Sequence, residues 1–222
     1  MSNISTTLRA LKEQGKKALV TFITAGDPNL DTSEKIVPTL IESGVDLSEL
    51  GFPFSDPMAD GPTIQFASER ALESGTTLRG VLDMVARVRQ HSNIPIILMG
   101  YFNPVFCYGP ELFARDASAA GVDGLLLVDL PPEEAEELHP LLRQAGIDLI
   151  TLLAPTTGAQ RSAQLAAAGE GFLYYVSMTG VTGSKQVDAE AIAAAVSELK
   201  AQSPVPVAVG FGISTPEQAA EV

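Results

Sequence analysis

Seven short apolar runs, at residues 18–23, 45–50, 94–99, 124–128, 149–153, 172–176 and 205–209, alternate with segments of helical spacing at 33–42, 78–90, 110–119, 132–144, 159–167 and 189–201. No other feature of the chain constrains its fold as tightly. Neighbouring parallel strands need a crossover, the crossover is normally a helix, and helices laid on a sheet bury its strands on both faces, so that the strands read as continuous apolar runs. The predicted class is therefore α/β, a parallel sheet covered by helices.

A weak repeat supports this reading. Gly44-Val45-Asp46, Gly121-Val122-Asp123 and Gly146-Ile147-Asp148 each stand between the end of a helical segment and the start of an apolar run. Glycine suits the left-handed residue that follows a helix, and the aliphatic residue opens the next strand, so the repeating unit is αβ. A further helix start is legible at Thr215-Pro216-Glu217-Gln218, where a capping residue, a proline at the first helical position and a capping-box glutamine coincide. Seven strands and a helix barely begun at Val222 predict a single TIM (β/α)8 barrel domain over residues 1–222 that lacks its last βα unit, since such barrels run to about 250 residues. An open doubly wound sheet is the alternative. The regular repeat and the absence of a Gly-x-Gly-x-x-Gly loop after the first run favour the barrel.

Charge and composition exclude several function classes. The net charge of −13 and the scattered Lys and Arg argue against nucleic acid as a partner. The same field would repel a phosphorylated ligand, which would then need a local cradle of backbone N–H groups. No apolar run approaches the roughly 20 residues of a membrane span, so a soluble protein is expected. One cysteine, Cys107, allows no intramolecular disulfide, and residues 1–17 are too polar for a secretory signal, which fits the cytoplasm.

Barrel active sites form at the C-terminal ends of the strands, so polar residues just after an apolar run are the candidates. Glu49 ends the second run among leucines. Desolvation there would raise its pKa toward neutrality, as a group that both gives and takes a proton at pH 7 requires. The position equally suits a structural glutamate paired to an Arg or a backbone N–H. In the loop that follows, residues 52–65, three prolines and Gly61 restrict the backbone, and Phe54 and Met58 offer anchors, so Asp56 and Asp60 would be held in place. Asp before Pro is also ordinary turn chemistry, the preferred reading for Asp56. Two later loops, 177–184 and 210–214, carry glycines that can present N–H groups to a phosphate. Phe22, Tyr101 and Tyr174 end or follow apolar runs and suit either core packing or an aromatic wall. His91 and His139 lie away from strand ends, and no spacing suggests a metal site. Cys107 lacks a basic partner and reads as a small packed residue.

The segment from Glu49 to Gln65, Glu-Leu-Gly-Phe-Pro-Phe-Ser-Asp-Pro-Met-Ala-Asp-Gly-Pro-Thr-Ile-Gln, closely resembles the signature of tryptophan synthase α subunits. Thr21-Phe22-Ile23-Thr24-Ala25-Gly26-Asp27-Pro28, residues 174–183 and Gly210-Phe211-Gly212-Ile213-Ser214 extend the likeness, in family order, over essentially the whole chain. The resemblance implies retro-aldol cleavage of indole-3-glycerol phosphate to indole and glyceraldehyde 3-phosphate. It makes Glu49 the acid/base and Asp60 the partner of the indole N–H. It places Phe22, Tyr101 and Tyr174 around the substrate, Thr182 and Gly183 in a closing loop and Gly212 in the phosphate cradle, with Gly210 and Phe211 also among the substrate-binding residues. It implies no cofactor for this chain and a pyridoxal phosphate β subunit as partner, in an α2β2 assembly faced by residues 53–60 and 103–106.

Two departures stand out. Leu47-Ser48 replaces the usual pair of aliphatic residues and sets a hydroxyl next to the glutamate. The family also continues past Val222 with an eighth strand and a turn that completes the phosphate site, so exposed strand edges and low stability are expected of this chain. A competing reading is a weakly active or inactive module that binds and activates the β subunit. A more distant one is another phosphate-binding barrel isomerase with the same architecture.

Overall fold

The computed structural model describes residues 2–176, 189–210 and 215–217. The chain forms two compact units, Met1–Leu149 and Ile150–Val222. The first contains a parallel sheet in the order β1 (Val20–Thr24), β2 (Leu47–Gly51), β3 (Ile96–Gly100), β4 (Gly124–Leu127), β5 (Asp148–Leu149). Its helices are α1 (Asn3–Glu13), α2 (Leu30–Glu42), α3 (Pro62–Glu73), α4 (Leu78–Arg89), α5 (Phe102–Tyr108), α6 (Pro110–Ala120) and α7 (His139–Ala145). The second holds the parallel strands β6 (Thr151–Leu153), β7 (Leu173–Val176) and β8 (Val207–Gly210), with α8 (Ala159–Ala167) and α9 (Ala189–Gln202).

Local chemistry sets these boundaries. Asn29 and Thr77 cap α2 and α4 by accepting the N–H groups of Thr32 and Gly80. Gly44, Gly121 and Gly146, the glycines of the repeat, have φ of 95°, 88° and 77°, the left-handed conformation in which a side chain is strained. The aspartates of the repeat have a role of their own. Asp46 accepts the N–H of Leu19 at 2.8 Å, at the mouth of β1, and Asp123 accepts that of Ile96 at 2.8 Å, at the start of β3. Each fastens the beginning of a neighbouring strand.

Side chains alternate across the sheet, and the two faces differ. Leu50, Ile96, Leu98, Leu125 and Leu127 share one core with Val37 of α2, Val85 of α4, Phe113 of α6 and Leu142 of α7. Phe113 is fully buried, so truncating it to alanine would cost about 3–5 kcal/mol. The other face carries Leu47, Glu49, Gly51, Ile97, Met99 and Leu126. At its lower end Ile4 of α1 is fully buried, 2.9 Å from where a Cβ on Gly124 would lie. In the second unit Leu153, Leu165, Leu173, Tyr175, Ile192 and Leu199 form a separate core.

Several elements depart from the sequence reading. The fifth apolar run is divided at Ile150: Asp148 and Leu149 pair with β4, and Thr151–Leu153 pairs with β7. The expected helix over 132–144 is a 3-10 turn, Pro132–Glu134, followed by α7. Pro140 donates no N–H and clashes with a preceding carbonyl, so the helix restarts with Pro140 in its first turn. α3 begins inside the segment read as a loop, with Gly61 as its cap and Pro62 at the first position. α1 and α5 were not read at all. Of the helix start at Thr215, Pro216 and Glu217 are helical, and its continuation lies outside the described residues.

Candidate active site

Every residue of β2 is buried. Glu49 is 3% exposed and sits in register between Phe22 of β1 and Ile97 of β3. Its Oε1 has no hydrogen-bond partner among the described residues. Burial without compensation disfavours the carboxylate and pushes the pKa of Glu49 up to about 7. The Arg pairing of the structural alternative is absent among the described residues: the shift has desolvation as its cause and no Arg or Lys opposes it. Ser48 alternates with Glu49 and shares the face of Leu50, so its hydroxyl is turned toward the helices and away from the carboxyl.

The loop after β2 is organised by Tyr101, which follows β3 and is 3% exposed. Its hydroxyl accepts the Ala59 N–H at 3.0 Å and donates to the carboxylate of Asp60. Phe54 packs on the Tyr101 ring with centroids 5.3 Å apart, and Gln65 of α3 donates to the Asp60 carbonyl at 2.8 Å. Burial raises the Asp60 carboxyl above its ordinary value, and the Tyr101 bond pulls it back down. The Tyr101 phenol is pushed up to about 12, by burial first and then by the charges of Asp60 and Asp129. Met58 does not anchor the loop as expected. It is 84% exposed, and Phe54 does that work. Asp56 is exposed and its carbonyl accepts the Met58 N–H at 2.9 Å, the turn role read for it.

Asp60 and Tyr101 open onto a small pocket whose walls include Phe22, Thr24, Phe54, Ile64, Ser68 and Met99. Two glycines keep it open. A Cβ on Gly51 would lie 2.6 Å from the Phe22 ring, and one on Gly100 would lie 2.4 Å from the Phe52 ring. The rings therefore rest directly on backbone. A buried carboxyl titrating near neutrality, a second carboxylate fixed by a phenol and an aromatic wall form an arrangement suited to proton transfer on a planar ligand.

In the first unit the structure brings Phe22, Asp60 and Tyr101 together around one pocket, and Glu49 sits beside Phe22 as its register partner on β2, outside the residues that line the pocket. In the second unit the Tyr174 hydroxyl lies 2.1 Å from where a Cβ on Gly210 would stand, so these two are also neighbours. Thr182, Gly183, Phe211 and Gly212 lie outside the described residues. Cys107 is exposed, not packed as its setting suggested. Thr24, Ile64 and Ser68 were missed by sequence reasoning. The spacing of Ile64 and Ser68, one helical turn apart, would have revealed a shared face had the helix start at Pro62 been recognised. Among the described residues no group of His, Cys, Asp and Glu is placed to hold a metal ion, and no helix is long and apolar enough to cross a membrane.

Comparison with known proteins points to one family. A family model described as tryptophan synthase alpha chain matches residues 8–222. The tryptophan synthase alpha chain of Geobacter sp. (strain M21) is 60% identical over 222 residues, which cover 100% of this chain and 83% of that protein. A crystal structure of tryptophan synthase subunit alpha from Legionella pneumophila str. Paris superposes with a TM-score of 0.91 at 45% identity, covering 100% of this chain and 82% of that one. A structure of the tryptophan synthase a2b2 complex from Pyrococcus furiosus matches with a TM-score of 0.82 at 38% identity, covering 91% and 82%. These similarities fix the fold class as the (β/α)8 barrel.

Proposed function

The chain belongs to the tryptophan synthase alpha chain family, and from that premise we propose that Glu49 and Asp60 divide the chemistry of indole-3-glycerol phosphate cleavage between them. The protein is an enzyme of tryptophan biosynthesis, a carbon–carbon lyase of the aldolase type. The protonated carboxyl of Glu49 delivers its proton to the indole ring carbon that bears the side chain. The bond from that carbon to the side chain then breaks, its electrons neutralising the iminium nitrogen, while the adjacent hydroxyl gives its proton back to the Glu49 carboxylate. Indole and glyceraldehyde 3-phosphate result, and Glu49 ends as it began. The Asp60 carboxylate accepts the indole N–H and stabilises the positive charge that develops there.

The observation that carries this reading is the state of Glu49, buried, with an unpaired oxygen and a pKa of about 7. A single group that donates and then accepts a proton at neutral pH needs such a value. Within the first unit Phe22 and Tyr101 flank the indole in this reading, and the family resemblance assigns Tyr174, Thr182, Gly183, Gly210, Phe211 and Gly212 to substrate binding as well. The partner is a tryptophan synthase β subunit, in an α2β2 assembly. Met58 and Phe106, 84% and 61% exposed, suit an apolar contact with it. The cytoplasm is the expected compartment. The test is indole release from indole-3-glycerol phosphate with β subunit present. Activity in the wild type that disappears in Glu49→Gln supports the assignment; activity surviving in Glu49→Gln would remove Glu49 from the mechanism.

A further inference from the structure

The helix that follows Asp60 has little apolar hold on the rest of its unit. The buried residues of α3 are Ala67, Ser68 and Ala71; of its larger apolar side chains Ile64 is half-buried in the pocket wall, while Phe66 and Leu72 are 56% and 37% exposed. Two buried methyl groups and one half-buried isoleucine anchor a helix of this length weakly. Polar groups must therefore contribute to its seat, and they converge on one loop. The Arg70 guanidinium forks onto the Asp27 carboxylate, Nε to Oδ1 at 2.8 Å and Nη2 to Oδ2 at 2.7 Å. A bidentate pair fixes direction as well as distance. Just past the end of α3, Ser74 hydrogen-bonds to the carbonyl of Gly26 at 3.3 Å. Gly26 and Asp27 both lie in the turn between β1 and α2.

The other half of α3 carries the site. Gln65 holds the Asp60 carbonyl, and Ile64 and Ser68 form pocket wall beside Asp60. We propose that Arg70 and Asp27 are positioning residues, a clamp that seats α3 on the β1–α2 turn and through α3 sets the placement of Asp60. The inference rests on the function proposed above. Arg70 also holds the Asp27 carboxyl below its ordinary range, so the clamp stays ionised at neutral pH.

The pair is partly solvated, with side chains 53% and 22% exposed. Exposed pairs add little to global stability, so an ordinary surface pair and a positioning clamp predict different results. The experiment measures indole release by the full chain with β subunit for wild type, Arg70→Gln, Asp27→Asn, Arg70→Lys and the double variant Arg70→Gln/Asp27→Asn. A clamp lowers kcat about tenfold in either single neutral variant, because small misplacements of reacting groups are costly. It lowers kcat less in Arg70→Lys, which keeps the charge and loses the fork. The double variant loses no more than the singles, since both break one interaction. The thermal midpoint and the apparent pKa near 7 stay where they are. Wild-type kcat in both neutral singles, additive losses in the double variant, or losses that track a falling thermal midpoint would overturn the clamp. If the wild type itself releases no indole, the functional reading fails, and hydrogen exchange decides the clamp separately. Faster amide exchange over residues 60–68 in Arg70→Gln would uphold it, and unchanged exchange would refute it.

Discussion

Phe22 stands directly across the sheet from Glu49, its register partner, and lays its ring over Gly51 two residues further along the same face. A side chain at position 51 would start 2.6 Å from that ring, so the glycine decides where the aromatic wall stands relative to the carboxyl. Gly51→Ala forces Phe22 into the pocket. We expect kcat/KM to fall at least about tenfold, with a loss of stability of about 1–3 kcal/mol from overpacking. Steady-state indole release and denaturant unfolding of the same variant would check both figures. Wild-type activity in Gly51→Ala would show that the Phe22 ring is free to move aside.

Glu49 links pH to stability as well as to activity. Its folded pKa of about 7 lies above the ordinary 4.5, so the native state binds the proton more tightly than the unfolded chain does. The stability this confers is present in full below about 4.5, falls as pH rises through the window and is lost above about 7. The gap corresponds to about 3 kcal/mol. Glu49→Gln, which has no charge to bury, should therefore be more stable than wild type at pH 8 by about that amount and gain little at pH 4.5. Unfolding free energies at the two pH values test this. Wild-type kcat/KM should also decline on the alkaline side of about pH 7, since the reaction begins from the protonated carboxyl. A pH-independent difference between the two proteins would contradict the assigned burial.

The parallel α/β plan was legible because burial on both faces leaves continuous apolar runs, and the burial of Glu49 was legible because it ends one of those runs among leucines. The hold of Tyr101 on Asp60 was not. Tyr101 and Ala59 are 42 residues apart, and only the pairing of β2 with β3 brings them together. α3 was hidden for a different reason. Its start lies in a stretch of Asp, Gly and Pro that local chemistry reads as a turn, although Pro62 also suits a first helical position. The repeat gave up the role of its glycines and withheld that of its aspartates, because a strand's first N–H is assigned only once its neighbour is known.

Tyr101→Phe isolates that long-range bond. It keeps the ring against Phe54 and removes the hydroxyl that donates to Asp60 and accepts from Ala59. Loss of the donor removes the one contact that lowers the Asp60 pKa, so the Asp60 carboxyl should rise further. With Asp60 less firmly held and less readily ionised, kcat should drop about tenfold, a loss of about 1.4 kcal/mol in transition-state stabilisation. Kinetics as a function of pH would show the deficit growing as pH falls, because the variant's Asp60 takes up a proton more readily than the wild type's. An equal deficit at every pH would assign the loss to geometry alone.

Ser48 offers a change in stability that should leave the chemistry untouched. Its hydroxyl is fully buried with no partner among the described residues, and the same holds for Oγ1 of Thr21, its register neighbour on β1. Both belong to the face that packs against the helices, opposite Glu49. A buried hydroxyl without a hydrogen bond costs about 1–3 kcal/mol relative to an apolar group of similar shape. Ser48→Ala and Thr21→Val should each raise stability by about 1 kcal/mol, or roughly 2–4 °C in thermal midpoint for a chain of this size, while kcat for indole release stays at the wild-type value. The positions are adjacent, so the double variant reports on their environment. Additive gains mean that each hydroxyl is independently unsatisfied. A loss of stability in both single variants would mean that the two hydroxyls share a buried water, which either substitution strands.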